Sequence, residues 1–125
     1  MVGEPFLVCR SEQLRDGGPG VRFEIPHGHE ALSAFAIRYR GAVRAFLNRC
    51  AHVPVELDWL PGVFFDDQGQ YLICATHGAT YLPDDGRCVA GPCRGRSLIS
   101  VPCFERDGAL WAGQVQADRQ TSLRG

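Results

Sequence analysis

Short alternating runs separated by glycine-containing turns restrict the fold of this chain more than any other feature. Residues 21–25, 35–40 and 43–47 alternate large apolar side chains with small or charged ones, which is the period of half-buried β-strands. Arg40-Gly41 stands between two such runs, and Asp107-Gly108 predicts a hairpin between residues 103–104 and 110–111. The pattern predicts an all-β fold of antiparallel sheets.

The remaining segments add little helix. Residues 71–74 read as a short strand that ends at a cysteine, while residues 11–14 and 56–60 are long enough for one helical turn each. The chain has 125 residues, 45% of them hydrophobic, which suits a single domain with its own core. We expect that domain to span residues 1–113, followed by a frayed tail at 114–125 where apolar periodicity stops.

The charge pattern excludes several classes of partner. All thirteen basic residues are arginine, they are spread along the chain, and fourteen acidic residues leave a net charge of −1. Because no broad positive field results, nucleic acid and anionic membranes are not expected partners. No stretch approaches the roughly 20 apolar residues that cross a bilayer. We expect a soluble cytoplasmic protein, in which thiols are reduced or bound to metal.

Two short cysteine–histidine pairs carry the chemical signal of the sequence. They are Cys50-Ala51-His52 and Cys74-Ala75-Thr76-His77, and each directly follows a predicted strand. Zinc sites usually pair like ligands, as in C-x₂₋₄-C with H-x₃₋₅-H, whereas here each pair is mixed. Two mixed pairs suit a [2Fe-2S] centre in which one iron takes both thiolates and the other takes both imidazoles.

The spacing resembles that of Rieske-type iron–sulfur proteins, whose signature is C-x-H followed by C-x₂-H. Gly78 after the second histidine, Tyr81, the turn at Asp85-Gly86 and the proline-containing loop at residues 90–92 match further parts of the family pattern. The resemblance extends over residues 21–111. It is closer to soluble Rieske ferredoxins than to the respiratory branch.

The resemblance implies a site and a cofactor. Cys50 and Cys74 would bind the inner iron of one [2Fe-2S] cluster, and His52 and His77 the solvent-facing outer iron. It also implies a small cluster-binding subdomain, about residues 48–95, at one end of Rieske-type antiparallel sheets. Four residues would support the ligands from nearby: Gly78, Tyr81, Gly91 and Pro92. Since oxidised iron favours loss of the imidazole protons, the reduction potential is expected to fall as pH rises.

Departures from the respiratory branch set an expected range for that potential. Two cysteines that form an inter-loop disulfide there are Val55 and Thr76 here, and a serine that donates to cluster sulfur is Ala79. Tyr81 keeps the position of a tyrosine in that branch, and either a sulfur-directed donor or a core aromatic is open for it. Fewer hydrogen bonds to sulfur predict a low-to-intermediate potential within the Rieske range.

The other cysteines permit several roles. Cys9 and Cys103 lie in strand-like apolar runs and are interpreted as small buried hydrophobes. Cys88 and Cys93 flank the proline-containing loop, where packing, a redox-active thiol pair and a second metal contact are all open. Packing is favoured, since a reducing compartment disfavours a disulfide.

A few further side chains have both a structural and a functional interpretation. His27 and His29 suggest a solvated turn more than a metal site, and Trp59 suggests a core anchor under the first cysteine–histidine pair. Three arginines near the proline-containing loop suit either a solvated loop or docking of an acidic partner: Arg87, Arg94 and Arg96.

Three functions remain from the sequence. The favoured one is a free-standing one-electron carrier, not itself an enzyme, that passes electrons from a reductase to an oxygenase or another terminal acceptor. The second is an electron-transfer subunit of a larger oxidoreductase, such as a nitrite reductase. The third is a structural module holding zinc or no metal. An oxygenase catalytic chain is excluded because no histidine follows His77 to help bind a mononuclear iron.

Overall fold

The computed structural model describes residues 5–51, 55–58, 60–76 and 78–113. Nine strands and one short 3₁₀ turn, Ser11–Gln13, make up its regular structure. The strands are β1 (Phe6–Arg10), β2 (Val21–His27), β3 (Glu30–Tyr39), β4 (Ala42–Leu47), β5 (Leu72–Ile73), β6 (Thr80–Tyr81), β7 (Cys88–Ala90), β8 (Cys103–Arg106) and β9 (Ala109–Ala112).

The strands form three antiparallel sheets of three strands each. Their orders are β1-β9-β8, β2-β3-β4 and β5-β6-β7, so the first sheet joins the beginning of the described chain to its end. Tight turns connect the neighbouring strands at Arg40-Gly41 and Asp107-Gly108, where all four residues have positive φ. That geometry matches the right-handed twist of the flanking strands. The all-β prediction is confirmed, as is the predicted hairpin at Asp107-Gly108.

The central sheet is buried on both faces at the middle of β3. Ala34 and Ala36 pack into one core with residues of β1 and β9, whereas Phe35 and Ile37 pack into a second core with residues of β5 and β6. Because successive side chains of a strand point to opposite faces, small alanines meet one sheet and large side chains meet the other. The prediction of a half-buried strand is therefore wrong for the centre of β3.

The second core lies directly beneath the segments that carry Cys50 and Cys74. Its aromatic centre is Phe35, whose ring stacks on that of Phe64 at 3.9 Å between centroids and contacts Phe46 at 5.8 Å. Cys50, Cys74 and Tyr81 belong to the same core. The site thus rests on a tightly packed base, which is what fixed side-chain positions require.

Other element predictions have mixed outcomes. The helical turn at residues 11–14 is confirmed as the 3₁₀ turn, and the strand at residues 71–74 is confirmed in shorter form as β5. No helical turn forms in the described residues of the 56–60 segment, which adopt bends, so that prediction is wrong there. The tail predicted at 114–125 lies outside the described residues. In the described part, no helix is long and apolar enough to span a membrane.

Candidate metal centre

The first loop, residues 48–58, leaves β4 and is anchored at its base by a buried amide–carboxylate pair. Asn48 donates from Nδ2 to Oδ1 of Asp58 at 3.0 Å and accepts at Oδ1 from the backbone N–H of Leu57 at 2.9 Å. The other oxygen of Asp58 accepts from the N–H of Gly62 and lies 3.6 Å from Nε of Arg22. Buried polar groups satisfied in this way fix the geometry of a loop.

Sequence reasoning did not identify Asn48 or Asp58. Both are polar residues inside otherwise apolar stretches, Phe46-Leu47-Asn48 and Leu57-Asp58, and each is less than one-tenth exposed. A polar side chain that interrupts an apolar run beside a candidate ligand is the signal that could have found them.

The first loop and the second loop, residues 74–79, close by the same hydrogen bond. The N–H of Cys50 donates to the carbonyl of Val55, and the N–H of Cys74 donates to the carbonyl of Ala79, each at 2.8 Å and across five residues. The N–H of Ala75 donates to the carbonyl of Leu57 at 3.0 Å and so ties the second loop to the first. Both cysteines therefore occupy equivalent positions at the start of linked loops.

Tyr81 connects the two loops from below. Its side chain is fully buried, and its hydroxyl oxygen accepts from the N–H of Ala51 at 2.9 Å. The same hydroxyl lies 3.3 Å from Sγ of Cys50, and since Ala51 can only donate, the hydroxyl proton is available to the sulfur. Burial, followed by the contact with Cys50, raises the pKa of Tyr81, so it stays protonated at neutral pH. Tyr81 is thus both a core aromatic and a sulfur-directed group.

The third loop, residues 88–96, lies against the second. Gly91 has φ +88°, and a Cβ added there would stand 3.0 Å from both the Cα of Ala79 and the carbonyl oxygen of Gly78. Only glycine permits so close a backbone approach at that φ. Gly78 also has positive φ, at +74°, and Pro92 is exposed at the surface of the third loop. The structure thus brings Gly78 and Gly91 together, at the end of the second loop.

Cys88 and Cys93 correct the sequence interpretation. They form a disulfide with their Cα atoms 5.6 Å apart, so the preference for simple packing, and with it the expectation of reduced thiols, is wrong at these positions. The reason is the tight reversal of the third loop. The N–H of Cys88 donates to the carbonyl of Arg96, and the N–H of Arg96 donates to the carbonyl of Cys93, each at 3.0 Å. This folding turns the two cysteines toward each other.

The remaining cysteines behave as the sequence suggested. Cys9 is buried in the core between the first and central sheets, and Cys103 is half-buried against the same core. Burial raises the pKa of both thiols, which is typical of inert structural cysteines. Of the histidine turn, His29 is exposed, next to Gly28 with φ +63°.

Several predicted residues lie outside the described part of the chain. They are the two candidate ligands His52 and His77, and the candidate core anchor Trp59. Within the described ranges, no group of three or more histidine, cysteine or acidic side chains forms a metal site. The assignment of His52 and His77 therefore stays a prediction.

Cys50 and Cys74, the two candidate ligands that the structure describes, suit the thiolate ligands of an iron–sulfur cluster. Cys50 and Cys74 are at most 3% exposed, neither takes part in the disulfide, and both lie near the Tyr81 hydroxyl. Thiolates of this kind bind iron strongly, and a hydroxyl directed at a ligand sulfur is the hydrogen bond that tunes such centres. Water is excluded below the cysteines by the aromatic core.

Comparison with known proteins gives a family and a fold. The model of the Rieske [2Fe-2S] domain family matches residues 4–105. The fold is similar to that of the terminal oxygenase of carbazole 1,9a-dioxygenase from Nocardioides aromaticivorans IC177, with a TM-score of 0.72 and 22% identity over 90% of this chain. This chain spans only 30% of that oxygenase. A comparison with curated proteins gives no match.

Two ferredoxins resemble the chain over nearly their whole length. The ferredoxin of the same Nocardioides aromaticivorans IC177 dioxygenase has a TM-score of 0.66 and 19% identity, covering 90% of this chain and 99% of that one. Sphingomonas yanoikuyae B1 ferredoxin has a TM-score of 0.68 and 21% identity, covering 89% and 99%. These likenesses confirm the Rieske-type fold predicted from the sequence, and the match over residues 4–105 identifies the chain as a member of the Rieske [2Fe-2S] domain family.

Proposed function

We propose that this protein is a one-electron carrier that holds a single Rieske [2Fe-2S] cluster. The observation that carries the proposal is the family match over residues 4–105, most of the 125-residue chain. When bound, a Rieske cluster takes up and releases one electron at a potential set by its surroundings. The buried pair Cys50 and Cys74 supports the proposal, because their environment suits the thiolate ligands of such a group.

We propose Cys50, Cys74, His52 and His77 as the four ligands. The two cysteines would lose their protons on binding, and the N–H and O–H groups around them would then face negative sulfur. The hydroxyl of Tyr81 is the described side chain that does so, at 3.3 Å from Sγ of Cys50. Gly78, Gly91 and Pro92 would support the ligands by keeping the second and third loops in contact.

The proposed donor is a reductase and the proposed acceptor is an oxygenase or another terminal redox protein. The similarity of fold to two ferredoxins, each covered over 99% of its length, supports a carrier. A role as electron-transfer subunit of a larger oxidoreductase is the second candidate, and the protein is not expected to turn over a substrate alone.

The proposed organisation is one domain over residues 1–113 with the cluster-binding subdomain at about 48–95. The cytoplasm stays the proposed compartment. A disulfide there requires protection, and Cys93 is fully buried while Cys88 is 8% exposed, which slows attack by cellular thiols. Alkylation of freshly lysed cells followed by mass measurement would show whether these two cysteines are oxidised in the cell.

The test is spectroscopic. Protein purified without oxygen is analysed for iron, acid-labile sulfide and zinc, and the dithionite-reduced sample is examined by electron paramagnetic resonance. We expect two irons, two sulfides and a Rieske spectrum. A colourless, silent sample that contains only zinc would refute the proposal and favour a structural module.

Matched variants locate the ligands. Cys50→Ser, Cys74→Ser, His52→Ala and His77→Ala are each expected to abolish the intact cluster. Cys9→Ser replaces a buried cysteine of the other core and is expected to retain the cluster. If a ligand variant retained the full visible spectrum, that residue would not be a ligand.

A further inference from the structure

The three loops around the proposed ligands form one continuous end of the molecule. Nη1 of Arg96 in the third loop donates to the carbonyl of Ala51 in the first loop at 3.0 Å. Gly91 of the third loop contacts the backbone of Gly78 in the second. We call the exposed part of this region the cluster-end face. Its exposed charged residues are Arg49, Glu56, Arg94 and Arg96, and its exposed apolar residues include Val55, Val89 and Pro92.

The charge of this end is opposite to that of the rest of the chain. The three loops, residues 48–58, 74–79 and 88–96, contain three arginines and two acidic residues, a net charge of +1. The remainder, with ten arginines and twelve acidic residues, carries a net charge of −2. A molecule of net charge −1 thus has a positive end around its proposed redox site.

The two acidic residues of the first loop, Glu56 and Asp58, do not cancel this charge. Glu56 accepts from Nη2 of Arg22 at 2.7 Å and from the hydroxyl of Ser33 at 2.8 Å. Asp58 is buried and bonded to Asn48. Within the described residues, neither Arg49 nor Arg94 has a carboxylate at salt-bridge distance, and both are exposed.

The same face contains apolar surface. Val55 of the first loop is 38% exposed and Val89 of the third loop is 37% exposed, and Pro92 of the third loop is also exposed. Arginine together with exposed apolar side chains is typical of protein interfaces, where guanidinium groups bind carboxylates bidentately. A small anion would bind the arginines without contacting the exposed apolar side chains, so the combination favours a protein partner.

We propose that the cluster-end face docks an acidic patch of a redox partner protein, so that complementary charge brings the partner to the exposed side of the loops. This inference rests on the proposed function, because electron transfer is what makes docking at this end useful. Electrostatic attraction of this kind raises association rates and weakens with salt. The partner is defined here by its chemistry, a carboxylate-rich surface with apolar contacts at its centre.

The sign of the salt effect tests the charge. The dithionite-reduced holoprotein is mixed in a stopped-flow instrument with hexacyanoferrate(III), which takes one electron from the protein and becomes hexacyanoferrate(II). Salt is varied from about 0.01 M to about 1 M, over which the Debye length falls from about 30 Å to about 3 Å. Because the whole protein is negative, its net charge predicts a rate that rises with salt, whereas the cluster-end face predicts a rate that falls.

Two variants with the same change of charge locate the effect. Arg94→Glu is expected to lower the low-salt rate with hexacyanoferrate(III) by about tenfold. Arg15→Glu is the control and is expected to change it by less than about twofold. Arg15 is exposed, and the adjacent Asp16 pairs with Arg38 near the turn between β3 and β4, whereas the first loop leaves the opposite end of β4.

Peptide binding tests the kind of partner. A short polyglutamate peptide is expected to bind the holoprotein, to bind Arg94→Glu more weakly and to bind Arg15→Glu normally, while polylysine of equal length does not bind. A rate that rises with salt, or equal effects of the two variants, would overturn the proposal. Tighter binding of duplex RNA than of polyglutamate would also overturn it, in favour of nucleic acid. Absence of the Rieske spectrum would instead refute the proposed function, and the docking proposal with it.

Discussion

Removal of one hydroxyl, in Tyr81→Phe, tests how the second core supports the proposed iron–sulfur site. The ring of Tyr81 is fully buried and its packing is retained by phenylalanine. The hydroxyl makes two contacts, accepting from the N–H of Ala51 at 2.9 Å and lying 3.3 Å from Sγ of Cys50. The substitution therefore affects stability through one contact and the redox site through the other.

The magnitudes follow from those contacts. Without the hydroxyl, the half-buried N–H of Ala51 loses its acceptor. We therefore expect the free energy of unfolding to fall by about 1–2 kcal/mol. At the sulfur, only the difference in hydrogen-bond strength between the two oxidation states affects the potential. For a difference of about 1 kcal/mol, the one-electron potential of Tyr81→Phe is lower by about 40 mV.

Redox titration followed by visible and paramagnetic spectra measures the potential, and thermal unfolding of the holoprotein measures stability. Tyr71→Phe is the control. Tyr71 is 37% exposed, and this substitution removes a hydroxyl that lies away from the site. Both potentials are measured at the same pH. An unchanged or higher potential in Tyr81→Phe, with Tyr71→Phe also unchanged, would show that the hydroxyl does not donate to ligand sulfur.

Three further changes have defined outcomes. Gly91→Ala is expected to destabilise the holoprotein by about 1–2 kcal/mol more than Gly95→Ala, because both have φ above +80° but only Gly91 would place a Cβ 3.0 Å from backbone, as thermal unfolding would show. Cys93→Ser opens the disulfide and is expected to cost about 2 kcal/mol of stability in denaturant titration, whereas an unchanged midpoint would contradict the loop constraint. The hydrogen bond from Arg38 lowers the pKa of Glu105. The ionised Glu105 side chain therefore stabilises the folded state fully above the usual carboxyl pKa, and this contribution is lost as pH falls through the lowered value. Glu105→Gln is therefore expected to lower the free energy of unfolding by about 0.5–1 kcal/mol at pH 7 and by progressively less as pH falls below the ordinary carboxyl pKa of 4.5, as thermal unfolding at several pH values would show; a cost independent of pH would contradict this account.

The fold could be predicted where its signals are local. Asp107-Gly108 forms the predicted turn because aspartate and glycine readily adopt the positive φ that both of its positions need, a property of the residues themselves. β6 and β7 have two and three residues and were not predicted as strands. Strands so short have too few residues for a period, and they are strands only because β6 pairs with β5 on one side and with β7 on the other.

The site could be predicted in part. Cys50 and Cys74 were singled out by spacing, and both lie buried at the start of linked loops. The role of Asn48 and Asp58 was not predicted, since it depends on a contact across ten residues with a carboxylate that looks like any surface acid in the sequence. Tyr81 was identified by position, but only the structure assigned its hydroxyl to Ala51 and Cys50.

By itself, the sequence determined the β architecture, the two mixed cysteine–histidine pairs and the family, because strand period, turn chemistry and ligand spacing are all properties of short segments. Only the tertiary structure decided the two-sided burial of β3, the Cys88–Cys93 disulfide and the positive end formed by separate loops. Each of these depends on contacts between residues brought together by the fold. A residue pattern indicates which interactions a side chain is able to make, whereas tertiary packing determines which residues it contacts.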